Sequence, residues 1–107
     1  NKKSVDIIIV HSPQDIYTVD VKALAKRYDW PADNITVFND PSHFYVLLSF
    51  EGAIDKPLVS PSVWVVPSKK MEHFRVPYKT RSVISRALLE KDGADFNDAW
   101  RLLTRQS

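Results

Sequence analysis

The sequence predicts an α/β domain with a central mixed sheet of about five strands, an opening hairpin, and helices at the C-terminal end. Two β-branched runs separated by a polar turn occupy residues 5–21. Residues 44–50 are apolar at nearly every position, which is typical of a strand covered on both faces. Helical spacing is clearest near the C-terminal end. A chain of 107 residues forms one domain, so residues 1–107 are treated as a single unit.

The opening segment is typical of a β-hairpin. Residues 5–10 form an apolar run, residues 11–15 (His-Ser-Pro-Gln-Asp) favour a turn, and a second run occupies residues 16–21. Antiparallel pairing places the start of the first strand beside the end of the second, so we expect Asp6 and Asp20 to lie close together. Side chains alternate along a strand, so Asp20 and Lys22 share one face.

A helical interpretation of the same region stays open. Val21, Leu24, Ala25 and Tyr28 fall at helical spacing. In that case Asp20 would be a helix N-cap, and Lys22 would be a solvated residue of the first turn.

Further strands are predicted at residues 35–38, 44–50 and 63–66, the last ended by Pro67. Ser68 is expected to cap a short helix over residues 69–74, with Met71 and Phe74 facing inward. Residues 76–78 break this helix.

Two more helices are predicted after this break. The first opens at Thr80 or Ser82, ends near Lys91, and is closed by Gly93 in the left-handed conformation. Its apolar stripe consists of Val83, Ile84, Ala87 and Leu88. The second begins at Asp95, with Trp100 as an anchor against the sheet. Its apolar residues at helical spacing are Phe96, Ala99, Trp100 and Leu103.

The predicted neighbours Asp6, Asp20 and Lys22 point to phosphodiester chemistry. Two adjacent carboxylates repel each other unless a cation neutralises them, and oxygen ligands favour Mg²⁺ or Mn²⁺. Such an ion polarises a phosphoryl oxygen, while a lysine ammonium offsets transition-state charge. We therefore predict that Asp6 and Asp20 bind the metal and that all three residues are catalytic.

At these residues the sequence resembles the PD-(D/E)XK nuclease superfamily, whose signature is an acidic residue on one strand and Asp/Glu-x-Lys on the next. The matching positions are Asp6 and Asp20-Val21-Lys22. The resemblance implies a restriction-endonuclease-like fold and Mg²⁺-dependent cleavage of nucleic acid, with DNA as the expected partner. The helix that usually precedes the first acid has no counterpart here, so the chain is expected to be the C-terminal part of the domain. Cutting both strands would need two sites, so a homodimer is also expected.

The basic residues are unevenly distributed. The net charge is +2, but residues 69–91 hold seven basic and two acidic side chains, a local balance of +5. A basic segment of this kind fits a phosphate backbone, although a solvated face has the same composition. The predicted nucleic-acid-binding residues are Lys26, Arg27, Lys69, Lys70, Arg75, Lys79, Arg81 and Arg86.

Other chemistry is disfavoured by composition. The chain has no cysteine, which excludes disulfides and thiolate metal sites and makes a cytoplasmic setting the default expectation. No apolar run reaches membrane-spanning length. The three histidines, His11, His43 and His73, lack metal-ligand spacing, and each is interpreted as a hydrogen-bonded surface or boundary residue. The alternative function is a non-catalytic module that keeps a nuclease-like fold to bind nucleic acid or protein.

Overall fold

The computed structural model describes residues 5–33, 35–36, 40–53, 55–56 and 58–104. Its strands, in chain order, are β1 (Ile7–Ser12), β2 (Asp15–Leu24), β3 (Trp30–Pro31), β4 (His43–Ser49), β5 (Ser62–Pro67), β6 (Arg75–Tyr78) and β7 (Arg81–Ile84). The α-helix α1 spans Arg86–Asp92, and 3₁₀ segments span Ser68–Phe74, Ala94–Phe96 and Trp100–Leu103.

The strands form two sheets. In the first, with the order β1-β2-β4-β5, β1 pairs antiparallel with β2, β2 pairs parallel with β4, and β4 pairs antiparallel with β5. The second is an antiparallel sheet with the order β3-β7-β6. The predicted α/β class, mixed sheet and opening hairpin are confirmed. The prediction of about five strands in one sheet is wrong, because the main sheet has four strands and three short strands pair separately.

Strand β4 is buried on both faces, as its continuous apolar run predicted. Tyr45 and Leu47 belong to one core cluster, which also contains Trp30 and Trp64. Phe44 and Val46, which alternate with them on the opposite face, belong to a second cluster. Side chains that alternate along β4 therefore supply two separate cores.

The segment predicted as one long helix is instead a strand followed by a short helix. Val83 and Ile84 lie in β7, where Val83 pairs with Val76 of β6 and Ile84 pairs with Trp30 of β3. Helix α1 begins only after Ser85, whose Oγ accepts a hydrogen bond from the Leu88 N–H at 3.2 Å. Pairing on both sides of β7 outweighs the helical spacing, and the β-branched Val83 and Ile84 suit a strand.

The predicted C-terminal helix is also wrong. It is replaced by the 3₁₀ segments Ala94–Phe96 and Trp100–Leu103. Between them, Asn97 forms a β-bridge with Trp64, and Asp98 has a positive φ of 51°. Ala99 is fully buried, but Trp100 is 48% exposed, so this tryptophan does not anchor the segment to the sheet.

Smaller differences concern the segments around this core. Met71 and Phe74 are buried as predicted, but Ser68 is itself the first residue of its 3₁₀ helix, and no side chain caps that helix. Ser68 is buried, and its hydroxyl donates to the Thr36 carbonyl at 3.5 Å. Residues 76–78, expected only to break the helix, belong to β6. In the strand predicted at 35–38, residues 35 and 36 are not in a strand, and 37 and 38 lie outside the described residues.

The hairpin extends beyond the larger core and presents an apolar face to solvent. Ile8 is 62% exposed and Val10 is 63% exposed. Their cross-strand neighbours are Thr18 and Ile16, and Ile16 is 42% exposed. In the described part of the chain, no helix is long and apolar enough to cross a membrane.

Gly93 ends α1 as predicted, but the predicted left-handed backbone conformation is wrong, and glycine is needed there for a steric reason. Its φ is −109°, which any residue can adopt. A Cβ at this position would lie 2.9 Å from the Leu89 carbonyl oxygen and 3.2 Å from the Leu89 Cα. The tight approach of the chain to the last turn of α1 therefore requires glycine.

We expect Gly93→Ala to lower the free energy of unfolding by about 1 to 3 kcal/mol, because the added methyl group overpacks against backbone atoms. Urea unfolding followed by circular dichroism measures the effect. Ala94→Ser, at the exposed neighbouring position, is the control and should change stability little. Equal stabilities of Gly93→Ala and wild type would contradict the proposed steric role.

Candidate active site

The Asp6 carboxylate lies against the backbone of β2. Asp6 sits at a bend just before β1, and its N–H donates to the Val19 carbonyl at 3.1 Å. Its Oδ2 accepts a hydrogen bond from the Val21 N–H at 2.7 Å. Since Val21 lies between Asp20 and Lys22, this bond brings the Asp6 side chain to the Asp20-Val21-Lys22 segment.

Asp20 and Lys22 both lie within β2, which continues to Leu24. The helical alternative for this region, with Asp20 as an N-cap, is therefore wrong. Val19 and Val21 pack in the second core cluster, so Asp20 and Lys22 project to the opposite face of the sheet. Strand geometry thus places the acid and the lysine on one face, as the sequence predicted.

A histidine that the sequence did not single out contacts Asp20. His43 Nε2 lies 2.9 Å from Asp20 Oδ2, and both residues are buried. His43 is only 4% exposed, so its interpretation as a surface or boundary residue is wrong. The contact arises from the parallel register of β2 and β4, in which Thr18 pairs with His43 and Asp20 pairs with Tyr45.

Tyr45 of β4 pairs with Asp20 of β2, and its side chain is hydrogen-bonded to the segment that precedes β4. Its hydroxyl donates to the Thr36 carbonyl at 2.9 Å and accepts from the Thr36 N–H at 3.0 Å. Burial raises the pKa of the Tyr45 phenol, and the Asp20 carboxylate acts in the same direction, while the hydrogen bond to Thr36 opposes the rise. Tyr45 is therefore a neutral donor near neutral pH.

A cavity of about 270 Å³ lies beside Lys22. It runs along the C-terminal half of β2. The pairing of β2 with β1 ends at Val19, so this part of β2 lies beyond the hairpin. The opposite wall comes from β3 and the residues after it. Trp30 lines this cavity but is only 1% exposed, and its Nε1–H donates to the Leu48 carbonyl at 3.1 Å, so it is a packing residue of the core. The cavity is lined by Val21, Lys22, Ala23, Leu24, Trp30, Pro31 and Asp33.

Comparisons of this chain with protein-family models, curated proteins and solved structures find no match. The site is therefore judged on its own geometry.

Arg86, predicted to bind nucleic acid, is buried in an ion-pair network. Its two terminal nitrogens donate to the two carboxylate oxygens of Glu51, both at 2.7 Å, and Nε donates to Glu90 at 3.0 Å. The guanidinium also stacks over Trp64, with its carbon 5.2 Å from the ring centroid. A side chain that is 9% exposed and held by two carboxylates is not available to a phosphate.

The other predicted arginines also have partners. Arg75 donates to the Ile35 carbonyl at 2.9 Å and forms an ion pair with Glu72. Arg81 contacts Asp33 at 2.7 Å. Arg27 lies 3.8 Å from Glu51 and 3.5 Å from Glu90, while its side chain stays 61% exposed. The arginines thus connect segments that are distant in sequence, and Arg75 ties β6 to the residues after β3.

The predicted lysines differ from the arginines. Lys26, Lys69, Lys70 and Lys79 are exposed, and among the described residues none of them forms an ion pair. Lys79 lies at the turn between β6 and β7, with Nζ 5.3 Å from the Tyr78 ring centroid. The basic charge that remains open to a phosphate backbone is therefore mainly lysine.

Glu51 is the centre of the ion-pair network. The Arg86 guanidinium lowers the pKa of the Glu51 carboxyl from 4.5 to about 2, and a hydrogen bond from Ser49 contributes in the same direction. Glu51 also has a positive φ of 58°, an uncommon conformation for this residue type. Its side-chain contacts with α1 help to hold the backbone in this turn.

We expect Glu51→Gln to lower the free energy of unfolding by about 3 kcal/mol at pH 7, because it leaves Arg86 buried without its bidentate partner. A folded-state pKa below the unfolded value means that the ionised carboxylate stabilises the fold above pH 4.5. This contribution is lost as the pH falls from 4.5 to about 2. The difference between wild type and variant should therefore shrink in that window.

Chemical unfolding at several pH values tests this expectation. Glu72→Gln is the matched control, because Glu72 also pairs with an arginine but its side chain is 65% exposed. Exposed pairs contribute about 0 to 1 kcal/mol, so the control should change little. A pH-independent difference between wild type and Glu51→Gln would contradict the assigned role of the carboxylate.

Proposed function

We propose that this chain carries the active site of a metal-dependent nuclease of the PD-(D/E)XK type that hydrolyses phosphodiester bonds, with DNA as substrate. One observation carries the proposal. The Asp6 carboxylate accepts a hydrogen bond from the amide of Val21, the residue between Asp20 and Lys22, on the adjacent antiparallel strand. An acid on one strand is thereby joined to an Asp-x-Lys segment on the next.

The donor set suits a cation that keeps part of its water shell. Among the residues that the structure describes, no group of three or more histidine, aspartate or glutamate side chains is placed to hold a metal ion. Mg²⁺ is commonly bound by one or two carboxylates, with water and substrate phosphate completing the shell, and the two carboxylates Asp6 and Asp20 fit this pattern. Mn²⁺ accepts the same oxygen ligands. Bound there, the ion would polarise a phosphoryl oxygen.

The protein groups have separate roles in this proposal. Asp6 and Asp20 each use one oxygen, Oδ2, in a hydrogen bond within the protein. Their Oδ1 atoms lie outside those bonds and would bind the cation. Lys22 borders the adjoining cavity, where its ammonium would offset negative charge on the phosphate in the transition state. Asp20 and Lys22 stand within a strand paired to β4, which limits the reorganisation needed during reaction.

The rival function is a non-catalytic module that binds nucleic acid or protein. The specific observation in its favour is the buried bond between Asp20 and His43, which satisfies one carboxylate oxygen without any cation. Only the nuclease function predicts cleavage that is lost on substitution of Asp20 while binding is retained, because metal ligands act on the transition state more than on the ground-state complex.

We expect Asp20→Ala or Lys22→Ala in the full-length protein to lower the cleavage rate about 10² to 10³-fold, the usual cost of one well-placed electrostatic group. Binding of the substrate should be largely retained. The assay uses plasmid, linear DNA and RNA with Mg²⁺ or Mn²⁺, and EDTA as the metal-free arm. Lys56→Ala and Asp55→Asn, at exposed positions outside the site and the basic segment, are the matched controls and should cleave nearly as well as wild type.

Two outcomes would reject the nuclease assignment. Wild-type protein that cuts none of the three substrates leaves only the binding function. Cleavage that survives both Asp20→Ala and Lys22→Ala would show that the activity does not belong to this site.

Affinity for DNA should depend on the exposed lysines rather than on the paired arginines. Combined Lys69→Ala, Lys70→Ala and Lys79→Ala should weaken binding and flatten its salt dependence, because each phosphate contact contributes about 0.9 to the logarithmic slope. Fluorescence anisotropy at several salt concentrations measures both quantities. Lys56→Ala, exposed and outside the basic segment, should leave the slope unchanged. An unaltered slope in the triple variant would show that these lysines do not contact phosphate.

A further inference from the structure

The buried bond between Asp20 and His43 crosses the parallel pair of β2 and β4. Nε2 of His43 lies 2.9 Å from Oδ2 of Asp20, and the two residues are 4% and 8% exposed. An ionised carboxylate only accepts hydrogen bonds, so we expect Nε2 of His43 to be the donor of this bond. The bond therefore uses one oxygen of Asp20 and leaves Oδ1 outside it.

We propose that His43 is a positioning residue of the nuclease site, which holds Asp20 so that Oδ1 is directed to the divalent cation. The proposal rests on the proposed function, since it requires Asp20 to be a metal ligand. A carboxylate with one oxygen fixed cannot rotate freely about its Cβ–Cγ bond, so less ordering is needed when the cation binds. Hydrogen-bond partners of metal ligands commonly change metal affinity or activity 10 to 100-fold when they are removed.

His43 is itself held in place by several contacts. The backbone N–H of His43 donates to the Asp40 carbonyl at 3.2 Å. The carbonyl of the preceding Ser42 accepts from the backbone N–H of Thr18 at 2.9 Å. The imidazole packs edge-on against Tyr45, with ring centroids 5.1 Å apart. A ring fixed by both backbone and packing transmits a defined orientation to Asp20.

A purely structural role for His43 is the competing explanation, and two substitutions separate it from positioning. Glutamine can place an amide N–H close to the position of Nε2 and so keep a donor for Asp20. Leucine fills the buried space but has no donor. If only packing matters, leucine should be the better replacement, because a buried amide is costly without partners. If the bond matters, glutamine should be the better one.

Mn²⁺ binding by isothermal titration calorimetry is the primary measurement, made on the full-length protein. We expect His43→Leu to raise the dissociation constant about 10 to 100-fold and His43→Gln to stay close to wild type. His11→Gln is the control, because His11 is also hydrogen-bonded, to the Leu103 carbonyl at 3.1 Å, but does not contact Asp20. Thermal unfolding of each variant shows whether it is folded at the titration temperature.

Equal weakening by His43→Gln and His43→Leu, or no weakening by His43→Leu, would overturn the positioning role. Asp20→Asn separates this failure from failure of the metal site. If Asp20→Asn weakens Mn²⁺ binding while His43→Leu does not, only the role of His43 is wrong. If Asp20→Asn binds Mn²⁺ as tightly as wild type, the metal site is wrong and the role of His43 falls with it.

Nitrogen NMR of the wild-type imidazole gives a second readout that does not require the variants to fold. We expect the metal-free protein to show His43 protonated at Nε2, as the bond to Asp20 requires. A neutral ring protonated only at Nδ1 would overturn the proposal.

Discussion

The parallel pairing of β2 with β4 is the constraint on which the rest of the structure depends. Parallel neighbours cannot be joined by a tight turn, so the chain must cross over the sheet before it returns. Here the crossover lies between Leu24 and His43, and it carries β3 together with Trp30, Ala32 and Ile35, which pack in the larger core. The connection is therefore part of the core, and β3 in turn supports β7 and β6.

The local parts of the fold could be predicted from the sequence. The hairpin and the strands around residues 44–50 and 63–66 follow from β-branched or continuous apolar runs and from turn residues, and the structure confirms them. Val83 and Ile84 were misassigned because their spacing with Leu88 fits a helix, while the partners that make them a strand, Val76 and Trp30, lie elsewhere in the chain. Neither secondary-structure propensity nor hydrophobic periodicity indicates which distant strands will pair.

The same distinction applies to the candidate site. The adjacency of Asp6 to the Asp20-Val21-Lys22 segment depends on one hairpin, and hairpin geometry can be deduced from the turn. His43 reaches Asp20 only through the parallel register of two strands, for which the local sequence carries no signal. The basic segment was equally ambiguous, because a local charge balance does not reveal that Glu51 and Asp33, distant in sequence, neutralise Arg86 and Arg81.

The hairpin next to Asp6 also makes the purified protein prone to self-association. Strand β1 is the outer strand of its sheet, and its run of isoleucine and valine leaves Ile8 and Val10 largely solvated. Apolar outer strands of this kind favour aggregation by strand addition, and many proteins oppose it with a lysine or proline at the edge. Within β1 the sequence Ile-Ile-Ile-Val-His-Ser contains neither residue type. Self-association of purified material would therefore begin next to the candidate site and obscure it.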